Sequence, residues 1–156
     1  VAEHLNIHAA QFDYDPDDPP GYQAGGVHVS RALGAGEQAV KLFEIPPGES
    51  LCPYHYEYVE EWLLVVEGEI ELRTPTGQTR LRAGDIVSFP AGPDGAHKTT
   101  NSGTETARTL MWSSAREPSV AVYPDSDKLG VWVPGGVDNH LFRRASGGLP
   151  YYDGEV

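Results

Sequence analysis

The chain has 156 residues, 39% of them hydrophobic, which at ~100–200 residues per domain makes one domain with a real core. Its 23 acidic and 11 basic side chains give a formal charge of −12, so it repels phosphate backbones and anionic lipid, which argues against nucleic acid and membrane partners. Eighteen glycines and thirteen prolines ask for many short elements joined by turns, and the single cysteine, Cys52, excludes an intrachain disulfide. Val1 to Phe12 has no apolar leader core and no stretch approaches the ~18 apolar residues of a membrane helix, so the expected compartment is the cytoplasm.

Residues 1–26 read as an arm or loop, because Asp15-Pro16-Asp17-Asp18-Pro19-Pro20-Gly21 forbids a continuous helix. From Val27 short β-like runs follow: Val27 to Leu33, Ala39 to Ile45, Glu61 to Val66, Glu69 to Thr74, Thr79 to Arg82, Ile86 to Phe89 and Thr106 to Ser113. Glu69-Ile70-Glu71-Leu72-Arg73 alternates, which puts Ile70 and Leu72 on the inner face of a half-buried strand, and Pro75-Thr76-Gly77-Gln78 turns it into a hairpin. Glu60 to Glu67 also fits a strand better than a helix, given Val65-Val66 and the following Gly68. From Ala115 onward the chain reads as irregular, wrapped on the domain or held in a subunit contact. The expected organisation is one all-β domain over 1–156, a sandwich or barrel with little or no helix. Its core lies at about 27–113, with terminal arms over 1–26 and 115–156.

The acids are unevenly placed: Glu57, Glu60, Glu61, Glu67, Glu69 and Glu71 crowd together with no lysine or arginine between Glu57 and Glu71. Such a patch is either a solvated face or a cation site. In an extended chain His55, Glu57 and Glu61 share a parity and can point the same way, whereas Tyr54, Tyr56, Tyr58 and Trp62 point oppositely, into packing. A second segment, Gly84-Asp85-Ile86-Val87-Ser88-Phe89-Pro90-Ala91-Gly92, leads to His97 and Asn101, and pairing it with the first brings His97 to that group. Cys52 reads as a small buried hydrophobe. His4, His8, His28 and His140 read as surface or packing residues, and Asn101 as a loop cap.

These two segments resemble the paired motifs of the cupin superfamily. In the first motif His55 takes the first histidine, Glu57 stands where the second histidine usually is, Glu61 takes the glutamate and Gly68 closes the run; in the second, Gly84, Pro90, Gly92, His97 and Asn101 fill the places in order. The spacing departs twice, with one extra residue between Gly48 and His55 and two extra between Gly92 and His97. The resemblance implies a double-stranded β-helix, or jelly-roll, barrel holding one divalent transition metal ion, here with His55, Glu57, Glu61 and His97 as candidate ligands. Nitrogen and oxygen donors without thiolate suit Fe, Mn, Ni, Cu or Zn. If Glu57 coordinates, two carboxylates neutralise the ion; if it does not, two histidines and Glu61 remain and Glu57 is free to act as a general base.

The resemblance also implies a small-molecule ligand or substrate. Two functions stay open at this point: a metalloenzyme of dioxygenase or isomerase type, and a non-catalytic ligand-binding or sensing module. A homodimer is expected, since cupins commonly pair through their ends and this chain has long segments at both.

Overall fold

The structure, a computed structural model, describes residues 3–155. In chain order the strands are β1 (Gly25–His28), β2 (Gln38–Ile45), β3 (Tyr56–Glu57), β4 (Glu61–Glu67), β5 (Glu69–Thr74), β6 (Gly77–Arg82), β7 (Ile86–Phe89), β8 (Lys98–Thr100), β9 (Ala107–Ser114), β10 (Ser119–Tyr123), β11 (Lys128–Trp132) and β12 (His140–Arg143). They form three antiparallel sheets, ordered β1-β2-β9-β4-β7, β6-β5-β8 and β12-β11-β10-β3. Helix is confined to the four-residue α1 (Val29–Ala32) and short 3-10 turns. Among the described residues no helix is long and apolar enough to cross a membrane.

The alternation in β5 works as the pattern requires: Ile70 and Leu72 are buried while Glu69, Glu71 and Arg73 are not. With Ile45, Leu63, Val65, Phe89 and Ala107 they fill the core between the first two sheets. Each such aliphatic side chain withdrawn from water contributes roughly 1.5–3 kcal/mol. Tyr54, Tyr56, Ala96 and Val122 form a second cluster against the third sheet. The aromatic parity opposite His55 and Glu57 is therefore spent on packing at Tyr54 and Tyr56, whereas Tyr58 is exposed.

The structure corrects two expectations. The run from Val27 does not continue as a strand to Leu33: β1 ends at His28 and α1 follows, with Val29 buried. Ala32 and Leu33 are not branched at Cβ and tolerate the helical turn, and Gly34 closes it at φ +66. Residues 115–156 are not merely irregular chain, because β10, β11 and β12 lie there and build the third sheet with β3. The hairpin between β10 and β11 turns through Pro124–Ser126 and a left-handed Asp127. At its centre Gly130 leaves room for a neighbouring ring, since a Cβ there would lie 2.0 Å from the Trp132 indole.

Asn101 caps the loop after β8. Fully buried, it donates from Nδ2 to the carbonyls of Ile45 and Glu105 and accepts the Gly103 N–H at Oδ1, all at 2.7–2.9 Å. Asn101→Ala leaves those backbone groups without partners and is expected to destabilise the fold by about 2–4 kcal/mol. Denaturant unfolding measures this, and unchanged metal binding per folded chain would mark the residue as structural.

Candidate metal centre

His55 and His97 oppose each other across an isolated antiparallel bridge, with the His55 N–H on the His97 carbonyl at 3.1 Å and the His97 N–H on the His55 carbonyl at 2.8 Å. Opposed residues project to one face, and here the two rings lie 4.8 Å apart. Each ring is held by its inner nitrogen. His97 Nδ1 donates to the Gly95 carbonyl at 2.9 Å and His55 Nδ1 to the Pro53 carbonyl at 3.1 Å. Both contacts require Nδ1–H, which leaves the Nε2 lone pairs free toward the interior, the arrangement a metal-binding histidine needs.

The loop carrying His97 is placed by close backbone packing. A Cβ on Gly95 would meet the Pro90 carbonyl oxygen at 1.8 Å, so only glycine allows that approach, and Phe89 stacks on the His97 ring at 3.7 Å. Glu61 opens β4, paired with Phe89 on one side and Ser113 on the other, and reaches within 4.0 Å of His55 Nε2. One donor atom each from His55, Glu61 and His97 lies within 4.8 Å of the others. Glu57 stands outside that group. It belongs to β3, paired with Ala121 of β10, and lines the same cavity.

Burial sets the electrostatics. It lowers the pKa of both imidazoles, taking His97, with a further push from His55, down to about 4. It raises Glu57, and it raises Glu61 to about 8 with the Glu57 charge adding to the effect. His97 Nε2 is buried without a hydrogen-bond partner. An orphaned nitrogen beside a desolvated carboxylate is costly alone, whereas a divalent cation satisfies both. The donor set thus fits such an ion by its own chemistry.

The cavity above these residues measures about 590 Å³. It also takes in Cys52, Tyr123, Trp132, Lys41 and His28. Cys52 Sγ is 3.4 Å from His55 Nδ1, but burial pushes its thiol up to about 12, so it is protonated and not a nucleophile near neutral pH. Burial likewise raises Tyr123 to about 12, which keeps its hydroxyl a proton donor. No motif spacing points to Tyr123, Trp132 or Lys41, which reach the cavity from β10, β11 and β2. The short apolar run Val120 to Tyr123 is the signal the sequence offers for the first of them.

A small antiparallel barrel with inward histidine and glutamate donors on adjoining strands defines a class of fold, and comparison with known proteins names it. Residues 41–113 match the cupin domain family. A protein from Acidithiobacillus ferrooxidans, provisionally named a sugar phosphate isomerase, superposes with a TM-score of 0.80 at 25% identity over 92% of each chain. A sugar phosphate isomerase of the cupin superfamily from Silicibacter pomeroyi gives a TM-score of 0.80 at 22% identity, over 96% of this chain and 98% of that one. The polyketide cyclase of Streptomyces resistomycificus gives 0.62 at 19%, over 76% and 84%. Among curated proteins no sequence match is found. Residues 41–113 thus match a cupin domain, and the fold of the chain is that of the cupin proteins on which it superposes.

Proposed function

We propose that the protein is a metal-dependent enzyme that moves a proton within a small hydroxy-carbonyl compound, an isomerase-type reaction. The observation that carries this reading is the convergence of His55, Glu61 and His97, with both Nδ1 atoms locked on backbone carbonyls, beside a carboxylate that is not one of the three. A divalent ion held by these three residues would polarise a carbonyl or hydroxyl oxygen of the ligand. Glu57, which is not one of the three donors, takes a proton from the carbon beside that carbonyl and returns it to the neighbouring carbon. The matching oxygen-to-oxygen proton passes by way of the Tyr123 hydroxyl. No net oxidation occurs, and the carbonyl shifts by one carbon. The similarity at 25% identity to the Acidithiobacillus ferrooxidans protein supports this class of reaction.

The test is deuterium wash-in. Metal-loaded protein incubated in heavy water with a panel of hydroxy-aldehydes, hydroxy-ketones and their phosphates is expected to place deuterium at the carbon next to the carbonyl, read by NMR. Glu57→Gln is expected to slow exchange by 10²–10⁴-fold, the usual contribution of a positioned general base, with metal content unchanged. Ligand binding without exchange by wild type would reduce the protein to a binding module.

A second reading has its own observation: two histidines and one carboxylate are the donor count of non-haem iron oxygenases. Oxygen uptake by iron-loaded protein with catechols, thiols and diketones tests it, and zero uptake removes it.

A further inference from the structure

Lys41 is the one lysine among the residues that line the cavity. On the first sheet it is paired directly with His28 of β1 and with Met111 of β9, and Met111 in turn with Leu63 of β4. Paired residues share a face, and His28, Lys41 and Met111 all line the cavity. The row holding Glu61, with Ser113 and Ala39, is the next one along the same face, ~7 Å away. Lys41 is thus an ammonium on a wall that continues into the apolar core through Met111 and Leu63. It makes no hydrogen bond or ion pair through its side chain among the described residues.

The charges facing it are Glu57 and Glu61, whose pKa values it lowers against the larger effect of burial, and His28, whose pKa burial and Lys41 both lower. At the rim, exposed Arg116 and Glu117 offset each other. His28 is therefore a neutral hydrogen-bonding partner at neutral pH. With Glu61 taken up by a divalent ion, the carboxylate left facing Lys41 is Glu57, the proposed base. A half-buried ammonium on the cavity wall with no hydrogen-bond partner is only partly satisfied, and an anion supplied by the ligand completes its contacts.

We infer that Lys41, assisted by His28, is the anion subsite of the cavity, and that the ligand is a small molecule carrying an oxyanion, phosphate or carboxylate, opposite the oxygen that faces His55, Glu61 and His97. This rests on the reading that the three-residue centre receives an oxygenated small molecule. It adds what selects that molecule: a substrate lacking the anionic group would lose its contact at this end.

Titration with inorganic phosphate tests the subsite on zinc-loaded and on chelator-treated full-length protein. In the zinc-loaded protein Lys41→Met is expected to raise the phosphate Kd about tenfold or more, the loss typical of one charge-assisted contact. Zinc stoichiometry stays at the wild-type value, and Lys41→Arg keeps Kd within about threefold. Acetate run in parallel separates the sources: the same Lys41 dependence for both anions assigns a general oxyanion site, and dependence for phosphate alone assigns a phosphate site. Phosphate binding by Lys41→Met equal to that of wild type, with both folded by thermal melting, overturns the proposal. If wild type holds no zinc, the reading of the metal centre fails, and comparing the two proteins metal-free still decides the subsite.

Discussion

Replacing His97 by alanine is expected to abolish divalent-metal retention, with affinity falling at least ~10²-fold, beyond the 10–100-fold that loss of an outer-shell partner costs. His97 is the most enclosed of the three donors, 1% exposed, and its Nε2 has no other use in the fold. Removing it leaves His55 and Glu61, two donors 4.0 Å apart on one side of the site. Two donors do not hold a transition ion against a competing chelator. The same substitution also removes the ring that stacks on Phe89, so a loss of stability accompanies it. His97→Gln separates the two effects, because its amide can still donate toward the Gly95 carbonyl while offering no imidazole. Metal content after gel filtration, beside denaturant unfolding, reads both. Glu57→Ala gives the contrast: retention of metal by that variant assigns Glu57 to proton transfer, and loss assigns it to coordination. Wild-type metal content in His97→Ala would sink the centre as described.

The central barrel was legible in the residues because its strands alternate cleanly and end at glycine or proline. Ile86–Phe89 and Glu69–Thr74 coincide with the expected runs to the residue. What escaped were elements too short to show a period, β3 at two residues and β8 at three, and the third sheet, whose strands β10, β11 and β12 are four or five residues long and whose tie to the rest of the barrel is the β3–β10 pairing, distant in sequence. At the site, motif spacing and parity together brought out His55, Glu61 and His97. Parity alone could not separate Glu57 from them, since it tells which face a side chain takes and not how far it reaches. The acidic crowding, read in one dimension, looked unpaired. In the fold Arg108 reaches Glu67 and Glu44, and Arg80 and Arg82 reach Glu69. Arginines on neighbouring strands thus pair with Glu67 and Glu69, Glu60 accepts the Trp62 indole N–H, and Glu57 and Glu61 face the cavity.

That pair gives the metal-free protein an unusual response to pH. Two groups of opposite sign dominate. His97 titrates at about 4 in the fold against 6.5 unfolded, so between those values the unfolded chain binds the extra proton and stability rises with pH. Glu61 titrates at about 8 in the fold against 4.5 unfolded, so across that range the folded chain holds the extra proton and stability falls as pH rises. Over the shared interval the two slopes cancel. From pH 6.5 to about 8 the His97 contribution is gone and that of Glu61 remains, so the chelated protein is expected to lose stability there, Glu61 contributing up to ~1.4 kcal/mol per pH unit. Glu61→Gln, which cannot ionise, should flatten that fall in Tm. Metal reverses the trend, because binding needs the carboxylate ionised and expels its proton. Affinity is therefore expected to climb by up to about tenfold per pH unit toward pH 8, with close to one proton released per ion at neutral pH. Calorimetric titration in two buffers of different ionisation enthalpy counts that proton. A metal affinity independent of pH between 6.5 and 8 would mean that Glu61 is already ionised in the empty site, and that its burial does not set the charge of the centre.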